Sequence, residues 1–182
     1  MTTASKITML RIGMIPIFMV FMYLDFPYSD IIALVVFIIA GITDSVDGYV
    51  ARKYNQISTF GKFIDPLADK LLVFAAMLIL VERGQIPSWA AIIIITREFA
   101  VTALRLVAVE AGIVIAAGTS GKIKTVVSIV GICIMLTDLA GFVIIPPVFT
   151  INALCVLLML ATTIWSGVEY FYKNKDVLDI SS

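Results

Sequence analysis

The chain has 182 residues, 61% of them hydrophobic and 14% charged, with thirteen basic and thirteen acidic side chains, two cysteines and no histidine. A mean hydropathy of +1.08 lies far from soluble globular usage and sets an integral membrane protein as the expectation. Zero net charge without a block of like charge argues against a nucleic-acid partner, and the missing histidine removes the usual zinc ligand and general base.

Taken in chain order, apolar runs between turn signals predict six helices, at 9–24, 31–53, 61–81, 86–108, 121–140 and 148–172. The first follows a weakly basic start and has no small-residue cleavage site before Asp25, so it reads as a retained span. In the second and third, the charge-free cores Ile31 to Thr43 and Leu71 to Val81 are too short to cross alone. They span only if the charged residues beside them continue the helix inside the membrane. The last carries the cleanest signal: Val148 to Val168 is free of charge and long enough to cross a hydrocarbon core of roughly 30 Å. Cys133 and Cys155 sit inside apolar runs and imply no disulfide framework.

Six helices with both termini in the cytoplasm would place Lys6, Arg11, Arg52, Lys53, Lys62, Lys70, Arg105, Lys122, Lys124, Lys173 and Lys175 on the inner side, and Arg83 outside. That asymmetry is what the positive-inside rule asks for. The expected fold is therefore an all-α integral membrane protein of six transmembrane helices, one domain over 1–182.

Four of the thirteen acidic residues fall within DSVDGYVARKYNQISTFGKFIDPLAD, residues 44–69. Asp44 and Asp47 are three apart near the inner end of helix 2, and Asp65 and Asp69 four apart near the start of helix 3. Each pair therefore shares a helix face. Ionised carboxylates gathered in lipid repel by on the order of 3 kcal/mol per pair at an effective dielectric near 20, so a cation must accompany them. An all-oxygen set suits Mg²⁺, Mn²⁺ or Ca²⁺, and four carboxylates can bridge two ions that clamp a phosphoryl group. Gly48, Ala51 and Gly61 leave room for a ligand near the backbone, and Arg52 offers a forked donor for phosphate. Interfacial salt bridges to Arg52, Lys53, Lys62 and Lys70 would not explain two carboxylate pairs with small residues at helical spacing.

Asp44-x-x-Asp47-Gly48-x-x-Ala51-Arg52, eight residues, then Gly61-x-x-x-Asp65-x-x-x-Asp69 resembles the signature of the CDP-alcohol phosphotransferases, membrane enzymes of phospholipid synthesis. The resemblance implies that family's fold and the displacement of CMP from a CDP-linked lipid by an alcohol. It implies a two-metal centre of Mg²⁺ or Mn²⁺ on Asp44, Asp47 and Asp65, with Asp69 both general base and metal ligand. Gly48, Ala51, Arg52 and Gly61 would line the nucleotide and diphosphate site. A homodimer in the inner (plasma) membrane of a bacterium, with its site facing the cytoplasm, follows from the same likeness.

The second half of the chain bears on the acceptor. By helix geometry Arg97 reaches a depth similar to that of the aspartates, and Arg105 lies two turns further in. Lys122 and Lys124 open helix 5, where free backbone N–H groups also favour anions. Arg97, Arg105, Lys122 and Lys124 could converge on a second phosphate, carried by the acceptor, with Glu98 orienting a nearby basic group. TREFAVTALR (96–105) and GKIKT (121–125) are similar to the phosphatidylglycerophosphate synthase branch, which uses CDP-diacylglycerol and sn-glycerol 3-phosphate. Ala4 and Ser5 depart from the Pro-Asn that opens the branch's N-terminal pattern. A cardiolipin synthase and a phosphatidylinositol-phosphate synthase are alternatives within the family. A divalent-cation transporter is the alternative of another class, but carboxylates at one depth form no relay across a bilayer.

Overall fold

The computed structural model describes the backbone of residues 3–24, 26–54, 59–110, 112–113, 115, 118–137, 143–145 and 149–175, and side chains for these except at 3–8, 10–11, 44–54, 59–69, 143–145 and 149. Six helices follow in order: α1 Thr3–Tyr23, α2 Ser29–Tyr54, α3 Thr59–Glu82, α4 Ser88–Glu110, α5 Thr119–Met135 and α6 Ile151–Lys173. A two-stranded antiparallel ribbon, β1 Val143–Ile145 with β2 Phe149–Thr150, precedes α6 and pairs Val143 with Thr150. The chain divides into two compact units, Met1–Glu82 and Arg83–Ser182.

In the first unit α1 packs against α2 and α3. Phe18 of α1 meets Phe37 of α2 with ring centroids 5.9 Å apart. Buried Ala33, Phe37 and Ala40 recur at the spacing of one face of α2. At the carboxyl ends of α1 and α3, the Tyr23 hydroxyl donates to Glu82 Oε2 at 2.5 Å. Those two helices therefore run in the same direction.

In the second unit α6 packs against both α4 and α5. Asn152 Nδ2 donates to the Gln85 carbonyl at 2.6 Å near the start of α4 and α6, while Tyr170 sits with Val101, Leu104 and Ala108 near their ends. These helices run parallel. α5 runs the other way: Gly131, near its end, faces Met159 and Cys155 in the first half of α6.

Beside a buried apolar cluster of Val101, Leu104, Ala108 and Tyr170, α5 and α6 also bury small and polar residues and turn large aliphatics outward. α5 buries Ser120, Lys124, Ser128 and Gly131 and exposes Ile123, Val126, Ile129 and Val130. α6 buries Thr163, Ser166 and Gly167 and exposes Leu157, Leu158, Ile164, Trp165 and Val168. Small and polar residues at helix contacts, with branched aliphatics facing out, is the pattern lipid selects, because lipid tails solvate apolar side chains and leave close packing and hydrogen bonds to join the helices. Among the described residues, Ile151–Lys173 is long and apolar enough to cross a membrane, and Ile12–Tyr23 and Ser29–Thr43 are shorter apolar stretches. The pattern of α5 and α6 agrees with the membrane protein expected from composition.

The ribbon departs from the expected all-helical chain, and α5 ends at Met135 where the apolar run predicted helix as far as 140. The Thr137 N–H and hydroxyl both donate to the Ile134 carbonyl, at 3.0 and 2.6 Å, a local closure that competes with the next helical turn. Residues 138–140 of that expectation lie outside the described residues. In α6 the Thr150 hydroxyl accepts from the Ala153 N–H at 3.1 Å and satisfies one of the helix's free donors.

Candidate active site

α2 carries Asp44, Asp47, Gly48, Ala51 and Arg52 in about its last three turns, and α3 carries Gly61, Asp65 and Asp69 in about its first three. The side chains of these eight residues lie outside the described residues. α2 is continuous over Asp44 to Tyr54 and α3 over Thr59 to Asp69, so Asp44 and Asp47 stand about 4.5 Å apart along their axis and Asp65 and Asp69 about 6 Å apart. Pro66, which could have opened or kinked the third helix, falls inside it, because α3 begins at Thr59. Gly61 therefore belongs to the same helix as the aspartates it precedes.

The second unit holds all four basic residues of the expected anion site. Glu98 Oε1 accepts hydrogen bonds from Arg97 Nη1 at 3.1 Å and from Lys124 Nζ at 2.5 Å, so one carboxylate oxygen ties α4 to α5. The Lys124, Arg97 and Glu98 side chains are 5%, 13% and 15% exposed. An ammonium held this far from water needs a nearby countercharge, and Glu98 supplies it. Two cations thus share one carboxylate oxygen in a mostly buried place.

Arg105 and Lys122 are exposed, and among the described residues no hydrogen bond or ion pair joins either of them to the Arg97–Glu98–Lys124 group. Arg105 turns to α6, where its Nε donates to the Tyr170 hydroxyl at 3.5 Å and its guanidinium carbon lies 5.8 Å from the ring centroid.

Two residues of α6 escaped the sequence reading. Tyr170 receives Arg105, and an aromatic near the end of a span reads as an ordinary interfacial belt residue. Gly167 lies against Arg97: a Cβ at 167 would stand 3.1 Å from Arg97 Cγ and 3.6 Å from its Nε. A signal was present. Buried Ala90, Ile94, Val101, Leu104 and Ala108 mark the inward stripe of α4, and Arg97 falls in that stripe, three beyond Ile94 and four before Val101. An arginine at a core register calls for a small partner opposite.

The profile of the CDP-alcohol phosphatidyltransferase family matches residues 1–165. A CDP-diacylglycerol–glycerol-3-phosphate 3-phosphatidyltransferase of Bacillus subtilis is 45% identical, with 98% of this chain and 97% of the relative covered. Proteins of the same name from Haemophilus influenzae and Salmonella typhimurium are 36% and 35% identical, covering 94% and 96% of this chain and 92% and 96% of theirs. The match spans both compact units and includes the whole aspartate signature, and on that ground the chain belongs to the CDP-alcohol phosphatidyltransferase family.

Proposed function

We propose that the protein transfers the phosphatidyl group of CDP-diacylglycerol to sn-glycerol 3-phosphate, giving phosphatidylglycerol phosphate and CMP, in the inner membrane of a bacterium. The observation that carries this reading is the signature from Asp44 to Asp69 on two consecutive helices, in a chain 45% identical over nearly its whole length to a transferase of that name. The Arg97–Glu98–Lys124 group, two cations held side by side on one carboxylate in a mostly buried place, supports an acceptor that brings its own phosphate.

The donor set fits the metals this family generally requires: four carboxylates at one-turn spacings on α2 and α3 are hard anionic oxygen ligands. Asp44, Asp47, Asp65 and Asp69 would hold two divalent cations, Mg²⁺ or Mn²⁺, which when bound supply neutralisation of the diphosphate charge. Arg52 binds diphosphate oxygens through its fork, and Gly48, Ala51 and Gly61 leave the backbone of α2 and α3 open to the nucleotide. Arg97 and Lys124, with Arg105 and Lys122 outside them, hold the phosphate of the acceptor. Asp69 takes the proton of the attacking hydroxyl. That oxygen forms a bond to the phosphorus bearing diacylglycerol, the bond from this phosphorus to the CMP oxygen breaks, and CMP leaves.

Six spans with both termini in the cytoplasm would put the signature near the inner surface, where the soluble acceptor arrives and CMP leaves. At about 1.5 Å per residue, α1 to α4 and α6 have 21, 26, 24, 23 and 23 residues, enough for a core of roughly 30 Å. Purified protein in detergent with Mg²⁺ and CDP-diacylglycerol, given glycerol 3-phosphate, inositol phosphate or phosphatidylglycerol in turn, tests the reading by CMP release. Release is expected with glycerol 3-phosphate. Release with either other acceptor but none with glycerol 3-phosphate would overturn it.

A further inference from the structure

We infer that Gly167 of α6 is a positioning residue for the acceptor's phosphate, acting through Arg97; the inference rests on the acceptor reading above. Arg97 is the charged member of α4's inward stripe, and its side chain runs along the α6 backbone where that backbone carries no Cβ. A methyl group at 167 would stand 3.1 Å from Cγ, 3.6 Å from Nε and 4.0 Å from Cδ, so the glycine opens a slot that the arginine stem fills. At the other end of the same side chain, Nη1 is fixed on Glu98 Oε1, which also holds Lys124.

Two restraints on one long side chain have a physical meaning. A free arginine loses rotamer freedom when it is fixed, and here that loss is met in folding, before any anion arrives. The slot also has a cost. Arg97 Nε is buried without a hydrogen-bond partner among the described residues, and a buried unmade bond is destabilising. An arginine serving only to join α4 to α6 would pair that donor with an α6 acceptor. Here the chain keeps the stem in place and leaves the donor unmatched, as expected where position matters more than local satisfaction. Charge-assisted bonds to a phosphate depend on placing the planar head correctly, so shifting the stem should weaken the acceptor and spare the CDP-lipid.

The test is a double-mutant cycle on the full-length protein in detergent with Mg²⁺. Gly167→Ala, Gly167→Val, Arg97→Ala and the double variant Gly167→Val/Arg97→Ala are compared by KM for glycerol 3-phosphate, KM for CDP-diacylglycerol and kcat, with glycerol 3-phosphate affinity by calorimetry where turnover is too slow. Alanine must push Cγ by only a few tenths of an ångström and should raise KM for glycerol 3-phosphate about threefold. Valine should raise it about tenfold or more, up to the loss of one charge-assisted hydrogen bond, with KM for CDP-diacylglycerol unchanged. In the Arg97→Ala background the valine should add nothing, because the side chain it displaces is gone. Should valine prevent folding, the alanine arm with Gly167→Ala/Arg97→Ala reads the same cycle. If Arg97→Ala raises KM but the glycine substitutions do not, or raise it equally with and without Arg97, the positioning role is refuted and the acceptor reading stands. If Arg97→Ala leaves glycerol 3-phosphate affinity untouched, Arg97 is not in the acceptor site and the positioning role falls with it, while CMP release with glycerol 3-phosphate decides the acceptor reading separately.

Discussion

At Glu98 one carboxylate oxygen accepts from two cations on two helices, and its chemistry was partly legible in the sequence: an acid beside Arg97 in an apolar run should serve a base. The sequence could not say which base. Lys124 lies 26 residues away, and only the packing of α5 brings the two together. Gly167 was illegible for a related reason, because a glycine in a span reads as helix packing until the arginine opposite is known. At the signature the position is reversed. Fixed spacing singled out Asp44, Asp47, Asp65 and Asp69 without any coordinates, since a metal site on helices, as proposed for them, would leave its trace in i, i+3 and i, i+4 intervals. Asp69→Asn keeps the shape and removes the basic oxygen, so CMP release should fall by about 10²–10⁴-fold, with CDP binding largely kept by calorimetry. Turnover like that of the unaltered protein would remove Asp69 from the base role.

For the helices, apolar runs located all six and missed mainly their ends. α1 starts at Thr3, not 9, because Thr3 to Lys6 extends the helix beyond the apolar run that marked it. α5 stops five residues early for the opposite reason, its apolar run outlasting the helix where Thr137 folds back on Ile134. β1 and β2 flank Pro146 and Pro147 with Val-Ile-Ile and Phe-Thr. β-branched and aromatic residues around such a break could have signalled strands, but the prolines were read only as a boundary. The α5–α6 contact has a test of its own at Gly131. A Cβ there would stand 2.9 Å from Met159 Sδ and 3.8 Å from Cys155 Cβ. Methionine can yield, so Gly131→Ala should lower stability slightly, while Gly131→Val should cost about 1–3 kcal/mol through overpacking. Thermal unfolding in micelles reads both. Adding Met159→Ala should recover part of the valine loss; no recovery would mean that Met159 does not set the contact.

Over the whole molecule, composition announced a membrane protein, and the outward branched residues with inward serines, threonines and glycines of α5 and α6 agree with it. Orientation is a separate matter, and the proposed one rests on basic residues: it would leave Arg83 in an outer loop and Lys173 and Lys175 near the inner end. Single cysteines introduced at Arg83 and Ser182 in a Cys133→Ala, Cys155→Ala background, treated with an impermeant maleimide on cells with accessible inner membranes, should react at 83 and not at 182 until the membrane is opened. The reverse pattern would invert the topology.

The outward aliphatic faces of α5 and α6 also constrain how the protein is made. Released into water, Ile123, Val126, Leu157 and Val168 would aggregate before their partner helices could meet, so synthesis must be coupled to insertion. α4 leaves the ribosome with Arg97 already beside Glu98, a built-in counterion for a residue that costs about 2.5–3.5 kcal/mol to insert alone. Lys124 arrives next and finds the same carboxylate, and α6, entering after α5, brings Gly167 against Arg97.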